Sequence, residues 1–93
     1  MRDITKKAVR AFNNNGNFKL SNTVVKADAT GTYMFLFGNL IARKINNKIE
    51  VTLAGYNTNT TRERLSGLCK ASTKQGQAYI NGNPVSSTEW VQL

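Results

Sequence analysis

The side chains that carry most protein catalysis are scarce in this chain. Its 93 residues contain no histidine and a single cysteine, Cys69. A serine or cysteine nucleophile would therefore lack its usual imidazole base, and a zinc site of thiolates and imidazoles cannot be assembled. The five acidic residues have neither metal-binding nor acid–base spacing; they are Asp3, Asp28, Glu50, Glu63 and Glu89. We expect no catalytic residues, no metal and no cofactor, and a protein that is not an enzyme.

A group of hydroxyls and arginines around residue 60 is the most suggestive candidate for a binding site. Apolar residues at i, i+3 and i+4 predict a second helix from about Thr61 to Ala71. Thr60 and Glu63 have the spacing of a capping box, so the helix is expected to begin there. Free N–H groups at a helix N-terminus bind anions. The donors expected around this one are Thr58, Thr60, Thr61, Arg62 and Arg64. Alternatively, the capping box satisfies the helix and the arginines point into water.

The first predicted helix offers a second basic surface. Four apolar residues recur at helical spacing and predict an amphipathic helix over Asp3–Asn13, with Asp3 or Thr5 able to cap its start. The basic residues expected on its exposed face are Lys6, Lys7 and Arg10. Such a row can neutralise phosphates without reading bases, although a run of charges can also be no more than a solvated face.

The charge balance favours a polyanionic partner. Thirteen Lys and Arg residues against five Asp and Glu residues give a formal net charge of +8. An excess of this size attracts negatively charged molecules over long range, and nucleic acid or a nucleotide is the first candidate. The alternative is that the charge only keeps a small protein in solution.

The middle of the chain changes to a period of two and predicts an antiparallel meander. The predicted strands are Thr23–Ala27, Thr32–Phe37, Leu40–Ile45 and Ile49–Ala54. Gly38-Asn39 suits a type II′ hairpin and Asn46-Asn47 a type I′ hairpin. Further strands are expected over Gln77–Asn81 and around Glu89–Val91.

The predicted turns fix which residues oppose one another and therefore share a face. Phe35 is expected opposite Ala42, Ala42 opposite Val51, and Arg43 opposite Glu50. This register puts Tyr33, Phe35 and Phe37 on the face that the helices cover. The opposite face then carries an apolar patch that could bind a host protein or form a homodimer, unless the C-terminal segment covers it. The patch consists of Met34, Leu36, Ile41 and Ile45. The aromatic residues expected near loops, and therefore able to stack on bases, are Tyr56 and Trp90.

These elements predict a single α+β domain over residues 1–93. Its fold is an antiparallel meander of three or four strands with two helices packed on one face and a C-terminal strand or hairpin. The longest apolar segment, Tyr33–Ala42, is far shorter than the ~20 residues that span a bilayer, and the N-terminus has no signal-peptide pattern. We expect no membrane association and a cytoplasmic location.

Two segments resemble a family of small proteins encoded in the genomes of tailed phages. They are Leu36–Ala42, LFGNLIA, and Thr52–Leu68, TLAGYNTNTTRERLSGL. The resemblance extends to Ile4–Phe12, Phe18–Thr23 and Tyr79–Gly82 with Trp90, and it covers nearly the whole chain. The chain has Tyr56 where the family usually has tryptophan, and Ser66 where it usually has asparagine. The resemblance implies a phage origin and an accessory role inside the infected bacterium, and it transfers no activity.

Two functional hypotheses follow. In the first, a non-enzymatic phage accessory protein binds nucleic acid or a phosphate-bearing nucleotide through the basic helix face and the helix N-terminus. In the second, the protein inhibits or modulates a host enzyme or defence factor through the apolar sheet face.

Overall fold

The computed structural model describes all residues, Met1–Leu93, and contains two helices and nine strands. In chain order they are α1 (Asp3–Asn13), β1 (Phe18–Leu20), β2 (Thr23–Ala27), β3 (Thr32–Leu36), β4 (Asn39–Ile45), β5 (Lys48–Val51), α2 (Asn59–Leu65), β6 (Ala71–Lys74), β7 (Gln77–Ile80), β8 (Asn83–Val85) and β9 (Val91–Gln92). No helix is both long and apolar enough to cross a bilayer.

The strands form two antiparallel sheets. The larger has the order β1-β2-β3-β4-β5-β9, and the smaller has the order β6-β7-β8. The predicted α+β fold is confirmed, and the predicted four-strand meander is the centre of the larger sheet. Strand β1 was not predicted from the sequence, because its three residues are too few to show a period. The turn between β7 and β8 consists of Asn81 and Gly82, which have positive φ angles, and Asn83 already begins β8.

One face of the larger sheet is covered by every other element. A single cluster of 14 buried apolar residues joins the layers. From the sheet and the segment after β5 it includes Val25, Met34, Leu36, Ile41, Ala42, Val51 and Leu53. From α1, α2, β7 and β8 it includes Ala8, Val9, Phe12, Leu65, Ala78, Ile80 and Val85. The two helices therefore pack on the same face of the sheet, as the sequence predicts, and the smaller sheet packs there with them.

The hairpin between β3 and β4 differs from its prediction. The turn residues are Phe37 and Gly38, with φ angles of 50° and 80°, and two positive values are the signature of a type I′ turn. Phe35 pairs with Leu40 but Met34 pairs with Ala42, so Ile41 is an extra residue, a β-bulge. A shift of one residue moves every side chain of a strand to the other face.

The predicted faces of β3 are therefore reversed. The expected exposed patch is wrong for three of its four residues, since Met34, Leu36 and Ile41 are at most 3% exposed and only Ile45 lies at the surface. Tyr33 and Phe35 lie on the uncovered face, and Phe37 is 69% exposed at the turn. The surface proposed for a homodimer or for a host protein is consequently the core of the molecule.

The next hairpin confirms its prediction. Asn46 and Asn47 both have positive φ angles, as a type I′ turn requires. Beyond the bulge, Ala42 pairs with Val51 and Arg43 with Glu50. The Arg43 Nε atom lies 2.9 Å from the Glu50 carboxylate. Local turn chemistry and a cross-strand charge pair agree here, which is why the register is readable from the sequence.

Helix α1 has its predicted bounds, but neither Asp3 nor Thr5 caps it. The N-cap residue is Arg2, which makes no side-chain capping bond. Thr5 is fully buried in the interface with α2. At the other end, the Lys44 ammonium donates to the carbonyl oxygens of Phe12 and Asn13, at 2.9 and 3.0 Å. A cation at a helix C-terminus donates to carbonyls that have no partner within the helix, and it is attracted by the negative end of the helix dipole. Lys44 therefore ties the sheet to the end of α1.

Helix α2 is shorter and begins earlier than predicted. Its N-cap is Thr58, whose hydroxyl accepts the Thr61 N–H at 3.2 Å, so the predicted Thr60 capping box is wrong. The helix ends at Leu65, and Gly67 lies in the turn that follows it, before β6. A Cβ on Gly67 would lie 2.7 Å from the Val9 Cγ2 atom. Gly67 therefore lies directly against the Val9 side chain of α1, where a larger residue would not fit without movement.

Candidate nucleic-acid interface

The outer face of the larger sheet, which points away from the helices, combines aromatic and basic side chains. Residues that pair across antiparallel strands share a face. One cross-strand row consists of Lys26, Tyr33, Arg43, Glu50 and Gln92. The next row consists of Lys19, Val24, Phe35 and Leu40. None of these residues belongs to the core cluster or packs against it. We call them, together with Ile45, Lys48 and Trp90, the outer face.

Tyr33 and Phe35 form the aromatic centre of the outer face. They lie two residues apart on β3, so their attachment points are separated by about 6.6–6.8 Å. Both side chains are half-buried by their neighbours in the sheet, with no helix above them. The Tyr33 hydroxyl lies 2.7 Å from the Thr30 hydroxyl. Two adjacent rings on a rigid sheet are a platform on which successive bases of a single strand can stack.

Trp90 and Arg43 extend this platform toward the β9 edge. The Arg43 guanidinium carbon lies 3.9 Å from the centroid of the Trp90 ring, within the range of a cation–π contact. The same guanidinium is bonded to Glu50, so two contacts hold it against the sheet. The stacking of Trp90 on a base remains a prediction, and its ring lies on the outer face.

The charges of the outer face favour an anion. Its basic residues are Lys19, Lys26, Arg43 and Lys48, and its only acidic residue is Glu50, which Arg43 already pairs. The three lysines are exposed. Lys26 pairs with Tyr33, and Lys19 lies in the cross-strand row of Phe35, so a strand whose bases stack on Tyr33 and Phe35 has ammonium groups available for its phosphates.

The predicted basic row of α1 lies on the other side of the molecule. Lys6, Lys7 and Arg10 are exposed, as expected. Lys7 is partly neutralised by Asp3, whose carboxylate lies 3.1 Å from its Nζ atom. Because α1 packs on the covered face of the sheet, this row cannot join the outer face in one site.

The group expected around the start of α2 does not form one exposed site. Arg64 is 2% exposed and donates to the Thr5 hydroxyl at 2.5 Å and to Asn22 at 3.4 Å. Desolvation by burial lowers the pKa of the Arg64 guanidinium, although the nearby Glu63 charge acts to raise it. Arg64 therefore joins α2 to α1 and to the β1–β2 turn, and its prediction as a surface donor is wrong.

The remaining predicted donors at α2 are held by short local contacts. The Arg62 guanidinium donates to the side-chain oxygens of Asn57 and Asn59, the latter at 2.6 Å. The Thr58 and Thr61 hydroxyls lie 3.0 Å apart and bond to each other. Thr60 is only half-buried and lines a neighbouring cleft. Most of these polar side chains are thus already hydrogen-bonded to one another or to neighbouring asparagines at the start of α2.

An apolar cleft of about 520 Å³ opens beside the start of α2. Its buried apolar lining comes from Leu36, Ile41 and Leu53, and the exposed rings of Phe37 and Tyr56 also line it. Ligand pockets in proteins have volumes of about 300–1,000 Å³ and are lined in the same way, by apolar walls with a few polar groups. Tyr56, which the sequence places near a loop, is 55% exposed here.

A family model for the Kyanoviridae Gp96 protein matches residues 1–92. The chain belongs to this family. It is a phage protein family, which confirms the phage origin implied by the sequence resemblance. No curated protein and no solved structure matches the chain.

In this Gp96 family protein, sequence reasoning missed the aromatic centre of the outer face. Strand β3 alternates between two apolar sets, so periodicity alone could not show which set faces the helices. Gly38 could have located the turn, because at the second turn position it gives a type I′ turn with Phe37 ahead of it, but this turn alone does not change the face of Phe35; only the β-bulge at Ile41 does. That turn leads to the observed pairing of Phe35 with Leu40.

Proposed function

We propose that this phage protein binds single-stranded nucleic acid across the outer face of its larger sheet. The observation that supports this most directly is the pair Tyr33 and Phe35, which lies on the uncovered face and is flanked by exposed lysines. A half-buried aromatic pair on a face without covering elements has no role in the core, but it offers flat surfaces to unstacked bases.

The geometry favours a single strand over a duplex. Rings that lie on a sheet can stack on a base only if the base is unpaired and turned toward the protein. Aromatic stacking accepts every base, and the lysines contact phosphates, so the binding should tolerate many sequences and depend strongly on salt. The protein would act by holding or covering a strand, without any chemical step.

The exposed lysines give this proposal a quantitative test. For single strands, the slope of log Kd against log salt changes by about 0.7 for each phosphate contact removed. Replacing Lys19 and Lys26 by glutamine should therefore reduce the slope by about 1.4. The measurement is the fluorescence anisotropy of a labelled DNA or RNA oligonucleotide at several salt concentrations.

The matched control is the double replacement of Lys6 and Lys7 by glutamine, which removes the same charge from α1. This control should change the slope less than the sheet variant does. A duplex of the same sequence should bind more weakly than the single strand. Equal slopes for the two double variants, or a preference for the duplex, would count against the outer face as the site.

A further inference from the structure

Phe37 has a backbone conformation that its own side chain disfavours. Its φ angle is 50°, and its side chain is 69% exposed. The first position of a type I′ turn favours asparagine, aspartate or glycine, and a bulky residue with positive φ is an outlier. Three other residues resemble Phe37 in having a positive φ angle and preceding a glycine that also has one. They are Ala54, Gln75 and Asn81, and none of them is aromatic. The aromatic ring thus adds strain to the turn without adding to the core.

The Phe37 ring borders the cleft described above. Tyr56 stands on the same cleft and is also mostly exposed. None of the ten residues that line the cleft is charged, and its polar groups include the Asn39 amide and the Thr60 hydroxyl. This lining offers no charged side chain to a phosphate, and it suits a flat, uncharged ring with hydrogen-bonding edges.

We propose that the cleft holds one base of the bound strand against the side chains of Phe37 and Tyr56. This inference rests on the proposed function and names a subsite for it. The cleft opens on the helix side of the sheet, since Leu36, Ile41 and Leu53 line it together with the start of α2. Only the exposed turn at Phe37 and Gly38 separates it from Phe35 and Leu40 on the outer face. A strand that crosses Phe35 and Leu40 can pass round this turn and place one base in the cleft. The phosphates stay outside with the lysines.

The replacement Phe37→Asn separates a binding role from a structural one. Asparagine suits the turn, so the variant should melt at a temperature equal to or higher than that of the wild type. Its affinity for a single-stranded oligonucleotide should nevertheless fall about fivefold or more, because a base loses its aromatic contact. The matched control is Asn46→Gly in the type I′ turn at the other end of β4, which should leave the affinity unchanged.

An abasic residue moved along the oligonucleotide locates the base that enters the cleft. With the wild-type protein, one position should weaken binding more than its neighbours, and with Phe37→Asn the effect of that position should disappear. If Phe37→Asn binds as tightly as the wild type while Phe35→Ala binds weakly, the cleft is not a base site and the outer face remains one. If the wild type binds no single strand, the proposed function fails, and the subsite fails with it.

Discussion

Met34 and Phe35 are adjacent, and the structure assigns them to opposite faces of the larger sheet, so truncating each should affect a different property. Met34 is fully buried, and replacing such a side chain by alanine costs about 2–5 kcal/mol. In a domain of this size, each kcal/mol lowers Tm by about 4–8 °C. Met34→Ala should therefore lower Tm by at least about 8 °C. At a temperature where this variant is folded, its affinity for an oligonucleotide should equal that of the wild type.

Phe35→Ala should show the reverse pattern. The ring pairs with Val24 and Leu40, and each cross-strand pair contributes about 0.2–1 kcal/mol, so the loss of stability should be near 1 kcal/mol. The loss of one stacked base should weaken binding by about 1–3 kcal/mol, roughly 5- to 150-fold. Thermal unfolding followed by circular dichroism and oligonucleotide anisotropy measure the two effects.

The comparison tests the β-bulge at Ile41 and the function together. If Phe35→Ala unfolds the protein more readily than Met34→Ala, the register has no bulge and the faces of β3 are assigned the wrong way round. If Phe35→Ala leaves both stability and affinity unchanged, the face is right but the ring does not contact nucleic acid.

Three further predictions concern the fold. Gly67→Ala should lower the free energy of unfolding by about 1–3 kcal/mol in urea titrations, because its Cβ would overlap Val9; Val9→Ala in the same chain should recover part of this loss. Desolvation raises the pKa of Glu63, but hydrogen bonds from Thr5 and neighbouring donors and the Arg64 charge outweigh it, so the pKa is lowered overall. The stability that Glu63 contributes is present above its unfolded pKa of about 4.3 and is lost as the pH falls through the folded value, so Glu63→Gln should flatten the acid limb of a stability–pH curve. Burial raises the pKa of Cys69 to about 11, so a thiol reagent at pH 8 should modify it much more slowly in the folded protein than in urea, which a time course would show.

The parts of the fold that the sequence predicted are those with two local signals in agreement. The β4–β5 hairpin has Asn46-Asn47 in its turn and Arg43 opposite Glu50, and either signal gives the same register. The bounds of α1 follow from a clear apolar stripe and a run of asparagines at its end. The existence of α2 was likewise predictable, but its start was not, because Thr58 and Thr60 both suit an N-cap.

The parts that could not be predicted depend on residues distant in the chain. The β-bulge at Ile41 leaves no periodic mark, and it alone decides that Met34 rather than Phe35 is buried. The burial of Arg64 requires Thr5 and Asn22, which lie 59 and 42 residues away. A basic residue in a polar segment looks exposed until those partners are placed around it, and for that reason the donors expected at α2 do not form one exposed site.

The contact between Trp90 and Arg43 gives the molecule a natural optical probe. Trp90 is the only tryptophan of the chain, and its indole lies on the outer face rather than in the core. Its emission therefore reports the environment of that face without an attached dye. A base that stacks there would displace water or the guanidinium from the indole and change its emission, whereas a ligand confined to the exposed side of α1 would leave the spectrum as it was.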